Sequence, residues 1–129
     1  MLIPNFSKVF LSSGNLETKD LIKPGRVSIL DISCYTNVAG SWSIKALVIG
    51  LISRKLLNER IGVRKEEELE SIKSGTEYFY QEQKEELPLV WILIDEAHEF
   101  LPREGKTPAT DALIQLLREG RQPGISLIL

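Results

Sequence analysis

Cysteine is nearly absent from this chain: Cys34 is the only one in 129 residues. A lone thiol excludes an internal disulfide framework and suits a reducing compartment. As a small apolar side chain it is expected in the core. Long apolar runs are missing too. The longest, Ala46 to Ile52, is interrupted by Gly50 and falls far short of the roughly 20 residues that a bilayer crossing needs. The N-terminus has no cationic stretch leading into an apolar core, so no secretion signal is expected. The protein is read as cytoplasmic, with no membrane partner. Neither sign of charge is in large excess, the net value being −2, so overall charge does not argue for nucleic-acid binding. Its distribution is uneven. Glu59 to Glu86 holds nine acids against five basic residues, a local −4 that leaves +2 for the remainder. A basic surface elsewhere therefore stays open. With 43% hydrophobic and 26% charged residues, the chain has the composition of a soluble globular domain large enough to bury one core.

What the sequence does contain is organised around Leu89 to Phe100, LVWILIDEAHEF. Six apolar residues, three of them β-branched, follow Pro88 and run into Asp95 and Glu96. Such a run reads as a strand. No polar residue alternates through it, so both faces are expected to be buried, as in a parallel sheet covered by helices. Ligands in open α/β sheets bind outside the carboxyl ends of the strands, where Asp95 and Glu96 stand. In a nucleotide hydrolase Asp95 would hold the water shell of a Mg²⁺, and Glu96 would polarise the attacking water. An isolated Asp-Glu pair after a strand more often just caps the next turn. The apolar run followed by Asp-Glu-Ala-His is much narrower, and favours a Walker-B-type site. His98 either couples the site to a neighbouring strand or makes a local hydrogen bond.

The rest of the chain supplies strands and helices for one α/β unit. Phe6 to Leu11 reads as a short strand, and Leu16 to Ile22 as a helical turn before the turn signal Lys23-Pro24-Gly25. Val27 to Ile32 is a second buried strand, followed by a loop from Tyr35 to Gly40. A helix starts at Ser41 or Ser43, where serine can cap free backbone N–H groups. Ile44, Leu47, Val48, Leu51 and Ile52 form its apolar face, Lys45, Ser53, Arg54 and Lys55 its polar side, and Gly62 its stop. Strand, helix and the Val90 strand then make a right-handed crossover. Arg64 to Leu87 reads as a charged surface insertion of two short helices divided at Gly75, anchored by Tyr78, Phe79 and Tyr80. After a loop from Leu101 to Lys106, Thr107 caps a helix whose first residue is Pro108. Ala109, Ala112, Leu113, Leu116 and Leu117 are its buried face, and Gly120 ends it. Ile125 to Leu129 is a third buried strand.

One element of a nucleotide site is missing. A phosphate loop needs G-x-x-x-x-G-K-[ST], whose amides and lysine cradle the phosphates. Gly105-Lys106-Thr107 has the right ending, but position 100 is Phe100 and Pro108 lacks an amide. It is a decoy, and no other stretch fits.

Three stretches, Lys23-Pro-Gly-Arg-Val-Ser-Ile-Leu-Asp-Ile-Ser, the run ending Ile94-Asp-Glu-Ala-His, and Arg118-Glu-Gly-Arg-Gln-Pro-Gly-Ile-Ser, occur in that order. Together they resemble the HerA/FtsK superfamily of hexameric DNA-translocating ATPases, particularly the archaeal HerA-type helicases. The match runs from about Ile22 to Leu129, excepting the Arg64 to Leu87 insertion. The resemblance implies a three-layer RecA-like (P-loop NTPase) fold with a parallel sheet of order 5-1-4-3-2 and flanking helices. Val27–Ile32, Leu89–Ile94 and Ile125–Leu129 would be its strands 2, 3 and 4. It further implies ATP and Mg²⁺ as cofactors, a hexameric homo-oligomer around duplex DNA, and a NurA-type nuclease as partner in DNA-end processing. Asp95 is then the Mg²⁺ carboxylate, Glu96 the catalytic glutamate and Arg121 the arginine finger supplied to a neighbouring subunit, with Arg118 its alternative. The family's strand 1 with its phosphate loop is lacking, so residues 1–129 are expected to be a partial RecA-like domain, inactive by itself. Two rivals stand beside this. Asp-Glu-Ala-His also occurs in superfamily-2 helicases, though Gly-Arg-Gln-Pro-Gly favours the HerA type. A partial RecA-like domain that only binds partners needs no catalysis.

Overall fold

In a computed structural model, residues 5–9, 18–33, 40–74 and 88–129 are described. Their order is β1 (Asn5–Val9), α1 (Thr18–Leu21), β2 (Arg26–Leu30), α2 (Ser41–Ser74), β3 (Val90–Leu93), a single 3-10 turn (Ala97–Glu99), α3 (Thr110–Glu119) and β4 (Ile125–Ile128). The chain is thus an α/β fold with parallel strands. β3 pairs with β4 in parallel, Val90 opposite Ile125 and Leu93 opposite Ile128. β2 pairs in parallel with β1, Arg26 opposite Asn5 and Leu30 opposite Val9. β2 and β3 are not hydrogen-bonded to each other, so the described strands form two two-stranded sheets rather than one continuous sheet.

The core lies between α2, α3 and one face of the β3–β4 sheet. Alternation along a strand sends Val90, Ile92 and Ile94 with Ile125 and Leu127 towards the helices. Near the carboxyl ends, Ile94 and Leu127 pack on Ala46, Phe100, Ala109 and Leu113. Near the amino ends, Val90 and Ile92 pack on Leu57, Leu116 and Ile125. The expectation of a strand buried on both faces is corrected here: Trp91 and Leu93 are 66% and 70% exposed on the opposite face. Among the described residues helices cover a single side, and a run without polar residues cannot tell one covered face from two.

α3 follows its pattern closely. Ala109, Ala112, Leu113 and Leu116 are buried, whereas Leu117, expected beside them, is half exposed. Gly120 is the C-cap. Thr107 does not open the helix directly. Residues 107–109 form a preceding turn in which the Thr107 hydroxyl accepts the Ala109 N–H at 3.2 Å and donates to the Phe100 carbonyl at 2.7 Å.

α2 departs from expectation in length and in face. It runs 34 residues, about 50 Å at 1.5 Å per residue, straight through Gly62. The stretch expected to begin an insertion at Arg64 is instead its last three turns. Residues 63–73 are mostly strong helix formers, and Gly62 in mid-helix costs only about 1 kcal/mol relative to alanine. Arg64 donates to Glu67 one turn on at 2.8 Å, and this carboxylate raises the guanidinium above its usual value. The buried face is Ala46, Gly50, Ser53, Leu57 and Arg60, while Leu47 and Leu51 are exposed. Apolar residues surround this part of α2, so periodicity alone could not orient it. Packing chose the small side: a Cβ on Gly50 would stand 2.8 Å from the Pro108 carbonyl oxygen. The expected loop at Tyr35, the break at Gly75, the aromatic trio at Tyr78 to Tyr80 and Cys34 lie outside the described residues. No helix among the described residues is long and apolar enough to cross a membrane.

Candidate functional site

Asp95 and Glu96 leave the carboxyl end of β3, where the last ladder bond runs from the Ile94 N–H to the Ile128 carbonyl at 3.0 Å. The turn that follows is tight. Asp95 Oδ1 accepts the Glu96 N–H at 2.9 Å. Glu96 adopts φ 53° and ψ 42°, the left-handed region, and is the one non-glycine residue with positive φ among the described residues. A side chain in that region costs about 1–2 kcal/mol, and such residues concentrate where function demands them. The Glu96 carbonyl accepts the Glu99 N–H, and the Ala97 carbonyl accepts the Phe100 N–H. Buried Phe100 anchors the turn to the core. His98 Nδ1 lies 3.2 Å from the Glu96 carboxylate, which selects the local of its two expected roles.

This turn opens on a cleft of about 1390 Å³ between β2 and β3. Every residue from Gly25 to Ser33 and from Pro88 to Glu96 lines it. Side chains alternate along a strand, so an unbroken lining means that strand edges, with their backbone groups, face the space. At its carboxyl end stand Asp31, Asp95, Glu96 and Glu99, with Lys45 from α2. Asp31 Oδ1 accepts the Ser33 N–H at 3.0 Å, closing the turn after β2. Lys45, expected on the polar side of α2, lines this cleft with Ile49, Ile52, Ser53 and Leu56. Its spacing of four, seven, eight and eleven residues to them is one helix face, the signal that would have found it.

The two arginines are elsewhere. Arg121 lies in the turn between α3 and β4 and borders a separate hollow of about 460 Å³ with Leu89, Trp91 and Ser126. Leu89 and Asp95 are six residues apart at opposite ends of β3, about 20 Å at the strand rise. Arg121 therefore does not join the Asp95–Glu96 turn of its own chain. Its side chain is exposed and has no hydrogen-bond or ion-pair partner among the described residues. Glu119, the neighbour it could have paired with, accepts from Gln115 at 3.1 Å. Arg118 is exposed on the last turn of α3.

Gly105-Lys106-Thr107 is fully engaged in local structure. Lys106 pairs with Asp111 at 2.9 Å, and the Thr107 and Thr110 hydroxyls both donate to the Phe100 carbonyl. Among the described residues no three His, Cys, Asp or Glu side chains are grouped to hold a metal. Magnesium does not require such a cage, since it takes one or two carboxylates and completes its shell with water and substrate phosphates. Asp95, an exposed oxygen donor at the cleft mouth, fits that use. Comparison with protein-family models, with curated proteins and with solved structures returned no match.

Proposed function

We propose that this chain is the Walker-B-bearing part of a HerA/FtsK-type ATPase that drives DNA translocation or helicase activity in DNA repair and end processing. The observation that carries the reading is the Asp95–Glu96 pair at the carboxyl end of β3, with Glu96 in the left-handed conformation. The fold would be the β2, β3 and β4 portion of a RecA-like three-layer domain in a cytoplasmic enzyme. Bound Mg-ATP would supply the electrophilic γ-phosphate and neutralise its charge. Asp95 would hold the metal through its water shell. Glu96 would accept a proton from the attacking water, with His98 Nδ1 steadying the carboxylate. Arg121, or Arg118 beside it, would stabilise developing charge in the site of a neighbouring copy, because it stands at the far end of its own sheet. The assembly would be a homo-hexameric ring around duplex DNA, with a NurA-type nuclease as partner.

Glu96→Gln keeps the shape of the side chain and removes the base. In the complete ATPase, ATP binding should persist while hydrolysis falls at least about a hundredfold. Asp95→Asn should weaken Mg²⁺ binding instead. Equilibrium binding of a fluorescent ATP analogue and steady-state phosphate release separate the two, and a normal rate in Glu96→Gln removes the assignment. A second reading, a non-catalytic interaction domain, is favoured by one feature: the chain has no phosphate loop.

A further inference from the structure

Arg60 is the one buried charged side chain among the described residues, 4% exposed on the inner face of α2. Burying a guanidinium is costly unless its donors find acceptors, and a leucine there would pack without that cost. Its Nε donates to the Pro123 carbonyl at 2.7 Å, across 63 residues of sequence. This is a charge-assisted bond to the turn that carries Arg121.

Three backbone bonds hold that turn. The Gly120 carbonyl accepts the Ile125 N–H at 2.7 Å, the Arg121 carbonyl accepts the Gly124 N–H at 3.3 Å, and the Gly124 carbonyl accepts the Val90 N–H at 3.0 Å. The Pro123 carbonyl is bonded by Arg60. Gly124 has φ +80°, and a Cβ on it would stand 3.2 Å from Arg60 Nη2 and 2.5 Å from Leu89 Cδ2. The guanidinium therefore lies close against the turn, whose left-handed Gly124 favours glycine.

We infer that Arg60 is a positioning residue for Arg121: it bolts the 120–124 turn to α2, so that the Arg121 side chain leaves the body in one fixed direction. The inference rests on the proposed action of Arg121 on a neighbouring copy. An arginine that must meet charge in another subunit gains from a rigid base, because a displacement of about 1 Å can cost about a hundredfold in rate. A lysine at position 60 keeps the buried cation and a donor but loses the fixed geometry of the guanidinium fork.

The test has two arms. In this 129-residue chain, amide hydrogen exchange at Gly124 and Ile125 is measured for wild type, Arg60→Met and Arg60→Lys. Those two amides should exchange faster in Arg60→Met, relative to the α3 amides, and recover in part in Arg60→Lys. An unchanged ratio overturns the bolt. In the complete ATPase, Arg60→Met should lower kcat about tenfold or more and leave KM for ATP within about twofold. The double variant with Arg121→Ala should be no slower than Arg121→Ala alone, since both changes remove the same contribution. Additive losses, or a rise in KM with kcat unchanged, overturn the positioning role while the function stands. A wild-type rate in Arg121→Ala overturns the function of Arg121, and the inference with it.

Discussion

Glu96 carries both the proposed chemistry and a conformational cost. Its φ of 53° would suit glycine, and the tight turn after β3 imposes it: Asp95 takes its N–H and His98 its carboxylate. Neither contact offsets much, because both side chains are exposed and such surface contacts contribute at most about 1 kcal/mol. Replacing Glu96 by glycine should therefore raise the unfolding free energy by about 1 kcal/mol, the relief of strain exceeding the entropy glycine adds to the unfolded chain. Urea denaturation of the two proteins measures this, and a less stable Glu96→Gly chain would show that the turn is not strained. Glu96→Gln retains the strain and should leave stability within about 0.5 kcal/mol. A residue that costs stability and is still present fits a site kept for chemistry.

At the scale of elements, β3 and α3 were legible in the sequence and α2 was not. β3 announces itself by a run of apolar residues closed by Asp95, and α3 by an apolar face that ends at a glycine. α2 hides both its end and its orientation. Leu47 and Leu51 are as apolar as Leu56 and Leu57, so spacing allowed a face that packing did not choose. Gly62 reads as a stop, but many helices that end at glycine turn it left-handed, whereas Gly62 is not among the positive-φ glycines and the helix runs on through it to Ser74. A Cβ there meets nothing within 4 Å, so Gly62→Ala should stabilise α2 by about 0.5–1 kcal/mol. Thermal unfolding followed by circular dichroism reads the effect, and a lower midpoint would mean that the helix breaks at Gly62. Of the candidate site, the carboxylates were legible because they abut a strand. Lys45 was legible only from its helix-face spacing to Ile49, Ile52 and Leu56, because the opposite wall of its cleft, β3, lies more than 40 residues on. Arg60 was missed for the same reason: its partner Pro123 is 63 residues away.

The molecule as a whole presents two ends of opposite character. Four acids and the single lysine Lys45 line the cleft at the carboxyl ends of β2 and β3, and the exposed side chain of Arg121 stands at the amino end of β4. The sequence holds no phosphate loop, so the isolated chain should bind Mg-ATP no more tightly than millimolar, because four acids against one lysine repel a triphosphate. Isothermal titration giving a micromolar dissociation constant would show that these residues form a complete nucleotide site. The distance between the two ends leads to the central claim, that one copy supplies Glu96 and its neighbour Arg121 to a shared site. Mixing subunits of the complete ATPase tests it most directly. Arg121→Ala and Glu96→Gln are each expected to be inactive alone, an arginine across an interface contributing about 10³–10⁵ in rate in phosphoryl transfer. In mixed rings some interfaces combine an intact Glu96 with an intact Arg121, and ATP hydrolysis should partly return. No return of activity, in rings shown by mass to contain both variants, would contradict the account.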